Sequence, residues 1–338
     1  MKQFHYDKPF TLEAGDVLSS LTIAYHTYGT LNGDKSNVIW ICHALTANSD
    51  VADWWKGMVG KDLLFNSETH FIVCANVLAS TYGTTGPLSI HSSTGSPFYN
   101  TFPFVTIRDM VKVHILLRQH LQIEHIHLLA GGSMGGYQAL EWAIMEKERI
   151  DNLFVIATSP TESAWGIAVH AAQRLAIEAD ITWNEPHAHA GQRGLKAARA
   201  IGLLSYRNYS ILKEKQADTD VDKLDDYKAA SYINYQGNKL VNRFNAYSYW
   251  ILTKAMDSHH LARGRAKTVE EVLQSIHQPT LIIGISSDIL CPVIEQEHMS
   301  ENIPNATLVK IDSPYGHDGF IVEVEKISAC LKTWLEAL

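Results

Sequence analysis

Cysteine is scarce in this 338-residue chain: there are four, at Cys42, Cys74, Cys291 and Cys330, with no Cys-x-x-Cys pair. That spacing gives no framework for disulfides or a zinc-thiolate cluster, and two of the four lie inside strand-like apolar runs, as buried free thiols do. No apolar run reaches the ~18 residues that a membrane-spanning helix needs, so no membrane partner is expected. Basic charge is short as well. Lys and Arg number 28 against 36 Asp and Glu, for a net charge of −8, whereas a nucleic-acid face needs clustered Lys and Arg. The start, Met1-Lys-Gln-Phe-His-Tyr-Asp-Lys8, lacks the charged-then-apolar form of a secretory signal, which makes a cytoplasmic location the default expectation. Histidine, by contrast, is plentiful at 17 residues. His187-Ala-His189 and His259-His260 nevertheless lie in polar surroundings without acidic or cysteine partners at ligand spacing, so no metal site is expected.

With 46% apolar and 19% charged residues, the chain reads as globular and large enough for one core with an inserted subdomain. It has no internal repeat and no low-complexity tract. Near the N-terminus, Pro9–Glu13 and Leu18–Tyr25 alternate like antiparallel strands around the Ala14-Gly15-Asp16 turn. Strand and helix patterns then take turns. Strands are expected at Val38–Cys42, Phe71–Asn76, Ile126–Ala130, Asn152–Thr158, Thr280–Ile285 and Thr307–Ile311, with helices at Ile107–Leu121, Gly136–Lys147 and Ile321–Ala337. This alternation predicts a mostly parallel, doubly wound sheet. Between the fourth and fifth of these strands the text turns helical, rich in Ala, Tyr, Arg and Lys, and reads as an inserted helical lid. The expected division is a core over 1–160 and 278–338 with the lid at 161–277.

The most informative segment is His125-Ile-His-Leu-Leu-Ala-Gly-Gly-Ser-Met-Gly-Gly-Tyr137. A short apolar strand runs into Gly131-Gly132-Ser133-Met134-Gly135 and then into a helix. Such a turn is tight enough to require small residues around the serine, and it leaves the Ser133 hydroxyl exposed beside a helix N-terminus. A nucleophilic serine needs a base, and the base needs an acid to hold its tautomer. Both follow in the chain: Asp288 closes the run Pro279–Asp288, and His317 lies in Ser313-Pro-Tyr-Gly-His-Asp-Gly319. The order Ser133, Asp288, His317, each just past a strand, is that of the α/β-hydrolase fold. Each residue alone would pass as a turn or loop residue; the ordered set of three points to acyl chemistry. The second requirement is an oxyanion hole. Its donors are expected to be the backbone N–H groups of Met134 and of Leu45, the latter just past the strand Val38–Cys42. His43 reads as a structural histidine under the site.

Beyond these elements, the chain resembles the homoserine O-acetyltransferases of methionine biosynthesis, with their serine O-acyltransferase and O-succinyltransferase relatives. The resemblance rests on Cys42-His-Ala-Leu-Thr46, Thr81-Tyr-Gly-Thr-Thr-Gly-Pro87, Phe104-Val-Thr-Ile-Arg-Asp-Met-Val111, the Gly131–Ala143 elbow, Tyr235-Gln-Gly237 and Ser313-Pro-Tyr-Gly-His-Asp318. It departs at Ala47, Tyr137 and Gly319, where the family commonly has glycine, methionine and alanine, all close to the expected site. The resemblance implies acetyl-CoA as co-substrate with no permanently bound cofactor, L-homoserine as acceptor and a homodimer. It places acceptor binding on Arg199, Tyr206 and Asp318. Coenzyme A is anionic, and the basic residues from Arg193 through Arg199 to Arg207 could supply its patch, although a solvated helix face fits the same spacing. Succinyl-CoA, L-serine or plain ester hydrolysis would use the same machinery.

Overall fold

Four of the apolar runs, β5 (Val38–Cys42), β7 (Ile126–Gly132), β8 (Ile150–Ile156) and β9 (Thr280–Ile285), form the centre of an eight-stranded sheet. The computed structural model describes Met1–Leu338. β6 (Phe71–Ala75) and β10 (Ala306–Ile311) complete the parallel part, and β4 (Leu21–Tyr28) joins antiparallel to β6 with β1 (Lys2–Tyr6) outside it. The order is β1-β4-β6-β5-β7-β8-β9-β10. Continuous apolar text is what a strand covered on both faces requires. In β5, side-chain alternation sends Val38, Trp40 and Cys42 into one core and Ile39 and Ile41 into the other.

Helices α1 (Val51–Trp54), α2 (Ile107–His120) and α3 (Met134–Met145) precede β8. Between β8 and β9 come α4 (Ala164–Glu178), α5 (Gln192–Tyr206), α6 (Tyr209–Gln216), α7 (Lys228–Val241), α8 (Ala246–Asp257) and the short α9 (Val269–Leu273), a helical insertion into the α/β core. α10 (Val293–Asn302), α11 (Gly319–Val322) and α12 (Val324–Glu336) follow. The Arg-Asp-Met piece proves to be a structural junction. Asp109 completes a capping box with Thr106 at the start of α2 and accepts the Glu13 N–H at 2.8 Å. Arg108 meets Glu13 at 2.9 Å and Glu141 at 2.8 Å and donates to the Arg263 carbonyl, so one guanidinium joins the N-terminal turn, α3 and the end of the insertion.

Three expectations shift. Lys2–Tyr6 is a strand that sequence reading missed; it pairs only with β4 and is mostly exposed, so it has no apolar pattern to betray it. The strand expected over Leu18–Tyr25 divides at Ser19-Ser20: Val17–Leu18 (β3) pairs with Phe10–Thr11 (β2), and β4 begins at Leu21. The final helix breaks at Glu323, whose ψ of 46° is not helical.

The chain leaves β5 for β6 on one side and returns to β7 on the other, which opens a crevice where the carboxyl ends of β5 and β7 diverge. The Leu45 loop follows β5 and the Ser133 turn follows β7, so topology alone brings them together.

Candidate active site

Ser133 sits at φ 55° and ψ −127°, a left-handed conformation that a non-glycine residue adopts only when its surroundings impose it. Those surroundings are specific. Its N–H donates to the Ile156 carbonyl at 3.1 Å, and its own carbonyl accepts from Thr158 Oγ1 at 2.9 Å. A Cβ at Gly131 would strike the Gly135 carbonyl, and one at Gly135 would strike the Cys42 carbonyl. The flanking glycines therefore let β7 turn directly into α3 and let α3 press against the end of β5.

Ser133 Oγ lies 2.8 Å from His317 Nε2, and His317 Nδ1 lies 2.7 Å from Asp288 Oδ2. All three side chains are buried. Asp288 Oδ1 accepts the N–H groups of Leu290 at 2.8 Å and Cys291 at 3.0 Å, which fixes the carboxylate and leaves its other oxygen for the imidazole. The imidazole thus donates from Nδ1 and presents Nε2 as acceptor to the serine hydroxyl. The two loops are tied together, because Ser287 Oγ accepts the Gly316 N–H at 2.9 Å and donates to the Ser313 carbonyl. Burial pushes the His317 pKa down, but the charge and hydrogen bond of Asp288, with the charges of Asp318 and Glu162, carry it above its ordinary value.

The Leu45 N–H has no acceptor within the chain, and the Met134 N–H, at the first position of α3, has none within its helix. Their carrier segments, however, are pinned. The Ala47 N–H closes a turn onto the Ala44 carbonyl at 3.1 Å, and His43 Nδ1 meets the same oxygen at 2.8 Å. His43 Nε2 accepts the Val77 N–H at 3.1 Å, and burial lowers its pKa to about 4, so the imidazole is neutral and structural. One residue spans both segments: Gln138 Nε2 donates to the carbonyls of His43, at 3.2 Å, and Met134, at 3.0 Å, while His114 holds its other end. Sequence reading gave Gln138 no role, since nothing in linear text shows an amide reaching back 95 positions.

The residues expected at the acceptor site also gather here. The Tyr206 ring lies 5.9 Å from that of His317, and the Arg199 guanidinium sits 5.5 Å from the Tyr206 centroid. Asp318 follows His317 directly, with Oδ2 3.0 Å from Arg207 Nε. Arg199 has no carboxylate partner and lines a cleft of about 1080 Å³ that begins at Ala44 and Thr46. Five basic side chains, Lys56, Arg199, Lys239, Arg243 and Lys326, line that cleft against three acidic ones. Arg193 faces a different depression, beside His187 and His189, and Arg207 a third, beside Ile211 and Tyr315, so the basic run expected to serve coenzyme A divides among three places.

Behind α3, the Tyr137 hydroxyl donates to Glu162 Oε2 at 3.1 Å, and its ring stacks on His259 at 4.0 Å. Burial pushes the Glu162 pKa up. Ligand-type atoms of Asp288, Cys291 and His317 come within 4.8 Å of one another. They make a poor metal set: burial pushes the Cys291 thiol well up, while a metal takes the thiolate, and both Asp288 oxygens are already engaged.

The family of proteins with the alpha/beta hydrolase fold matches residues 37–324. Homoserine O-acetyltransferase of Cyclobacterium marinum is 43% identical over 331 residues, covering 98% of this chain and 94% of that one. The chain belongs to the homoserine O-acetyltransferase family. It is accordingly an enzyme, a transferase built on the α/β-hydrolase fold. Among solved structures, homoserine O-acetyltransferase from Bacillus anthracis superposes with a TM-score of 0.92 at 24% identity, covering 99% of this chain and 96% of that one. Esterase E22 superposes with a TM-score of 0.87 at 22% identity, covering 99% of both chains. These two superpositions show the shared fold. No helix is long and apolar enough to cross a membrane.

Proposed function

We propose that this enzyme moves an acetyl group from acetyl-CoA to the hydroxyl of L-homoserine in two half-reactions through Ser133. The observation that carries the reading is the unbroken chain from Ser133 Oγ through His317 to Asp288, beside the helix-terminal Met134 N–H and the unpartnered Leu45 N–H. In the first half-reaction His317 Nε2 takes the Ser133 proton as Oγ attacks the thioester carbonyl carbon. The oxyanion forms between the Leu45 and Met134 N–H groups, where one such donor is worth about 2.7–4 kcal/mol. The C–S bond breaks, coenzyme A leaves with the proton from His317, and Ser133 carries the acetyl group. In the second, His317 takes the proton of the homoserine hydroxyl as its oxygen attacks the acetyl carbonyl carbon; the new tetrahedral intermediate collapses with cleavage of the Ser133 Oγ–C bond, His317 returns the proton to Oγ, and O-acetyl-L-homoserine leaves. Asp288 steadies the imidazolium in both halves. Every step uses groups of the chain itself, with acetyl-CoA as co-substrate and no resident cofactor.

The basic cleft supports an anionic acyl-CoA donor, since a chain of net charge −8 must gather local positive charge to hold one. For the acceptor, Arg199 is a cation without a partner for the homoserine carboxylate, and Asp318 retains one carboxylate oxygen for the ammonium group. Transfer prevails over hydrolysis when the acceptor is held in line and water is kept out, and the helical insertion acts as the lid that does so. The deciding experiment crosses acetyl-CoA and succinyl-CoA with homoserine and serine, following thiol release, product mass and the intact mass of the enzyme. Acetyl-CoA alone is expected to acetylate Ser133 in a burst, and homoserine to discharge it. Faster turnover with succinyl-CoA or serine would reassign the substrates, and an acetyl group found on a cysteine would overturn the mechanism.

A further inference from the structure

Arg243 lies in the turn between α7 and α8, inside the helical insertion, yet its side-chain hydrogen bonds go to the core. Its Nη1 donates to the Thr46 carbonyl at 2.5 Å and to the Tyr82 hydroxyl. Thr46 belongs to the Ala44–Ala47 turn. That turn is held at one end through the Ala44 carbonyl, by the Ala47 N–H and His43, and the Leu45 N–H lies between this anchor and Thr46. Arg243 is the side-chain partner of the other end. The Tyr82 segment is itself fixed. Its carbonyl accepts from Asn76 Nδ2 at 2.7 Å, Asn76 Oδ1 accepts the Ser49 N–H at 2.7 Å, and Asn245 Nδ2, next along the insertion, donates to Thr81 Oγ1 at 2.9 Å.

We propose that Arg243 is a positioning residue for the oxyanion hole: reaching from the insertion, it clamps the Thr46 carbonyl against Tyr82 and so holds the Leu45 N–H at the angle the oxyanion needs. The inference rests on Leu45 being an oxyanion donor, as read above. It also makes the hole depend on the insertion being seated, since a core enzyme with the insertion displaced loses this clamp. Backbone donors aid catalysis only when already aimed where charge develops, and a displacement of ~1 Å can cost ~100-fold.

Arg243 also lines the basic cleft, so the competing account makes it a ligand for donor phosphate. An uncharged ester separates the two. The p-nitrophenol burst from p-nitrophenyl acetate is to be measured for the unaltered enzyme, Arg243→Ala, Arg243→Lys and Tyr82→Phe, beside the burst from acetyl-CoA and a melting curve for each. Arg243→Ala is expected to slow acylation by about tenfold on both esters, less than the ~100- to 1000-fold seen when a donor is removed outright. Arg243→Lys keeps an N–H donor for the Thr46 carbonyl and is expected to return to within about threefold of the unaltered enzyme. Normal p-nitrophenyl acetate kinetics with a raised KM for acetyl-CoA would make Arg243 a phosphate ligand and overturn the proposal, as would normal kinetics on both esters. Should Arg243→Ala melt early, the Arg243→Lys and Tyr82→Phe variants still decide, because a clamp predicts a kcat loss in Tyr82→Phe with KM unchanged. Absence of any burst in the unaltered enzyme would sink the Ser133 reading, and the positioning role with it.

Discussion

The two walls of the site are built differently. On the sheet side, Ser133, His317 and Asp288 stand at the ends of strands, are buried, and have partners at 2.7–3.0 Å on nearly every polar atom. On the insertion side, Arg199 meets only the face of Tyr206, and Lys239 is exposed at the cleft without a carboxylate partner, as is Lys56 across from it on the core. The first wall is preorganised, which suits acid–base and oxyanion chemistry; the second keeps charges without partners in the chain, as the proposed substrate contacts need. The contrast predicts that substitutions on the sheet side damage both half-reactions together, while those at the unpartnered charges of the cleft damage one and spare the other; Arg243, whose side chain is bonded to the core, is expected to behave as the sheet side does.

The largest effect tests the sheet side. Ser133→Ala is expected to abolish the acetyl burst, and Asp288→Asn, which leaves His317 in the wrong tautomer, to slow both acylation and deacylation by about 10⁴-fold. Rapid-quench measurement of each half-reaction checks this. A loss confined to one half in Asp288→Asn would dissolve the contrast at its stronger end.

Arg199→Ala tests the other side. A charge-assisted pair is worth about 1.5–3 kcal/mol, so homoserine capture is expected to fall by about 10- to 150-fold while the burst from acetyl-CoA stays near normal. The ratio of free acetate to O-acetylhomoserine reports it directly. An unchanged ratio and KM would place the carboxylate site elsewhere.

The same asymmetry governs what the sequence reveals. The elbow was legible because sterics demand Gly131 and Gly135, and the buried strands because two covered faces demand continuous apolar residues. Lys2–Tyr6 was illegible because an exposed edge strand has no such demand. Gln138 and Arg243 were illegible for another reason: their partners lie 95 and 197 positions away, and a polar side chain carries no sign of where its hydrogen bonds end. Arg199, Tyr206 and Asp318 came only through family resemblance; in the structure Tyr206 lies beside His317, Arg199 lies over Tyr206, and Asp318 follows His317 in the chain.

A smaller effect is expected at the cleft. Lys56→Glu with Lys239→Glu is predicted to raise the KM for acetyl-CoA by about tenfold at low ionic strength, less at high salt, because exposed charges are screened. Acetyl-pantetheine, which lacks the nucleotide, should react as before. An equal change with both thioesters would mean that the substitutions disturb the site and do not act through phosphate.

The smallest effect concerns the seam between the walls, where Asp318 belongs to both. His317 acts as base only when neutral, so acylation is expected to rise with pH along a limb whose midpoint lies above the ordinary histidine value of 6.5. The sign for stability is opposite: a raised histidine pKa stabilises the fold fully below 6.5, and that contribution is lost as pH climbs through the folded value, just as the enzyme gains its base. Asp288 is the larger cause and Asp318 a lesser one, its charge offset by Arg207 at 3.0 Å. Asp318→Asn is therefore expected to move the acylation limb to lower pH by less than about one unit, under ~1.4 kcal/mol, with the plateau rate for thioester cleavage preserved. Homoserine capture should fall at every pH, through loss of the ammonium partner. A limb that stays in place while capture falls would confine Asp318 to the acceptor, and a lower plateau in both half-reactions would make it a support of the His317 loop.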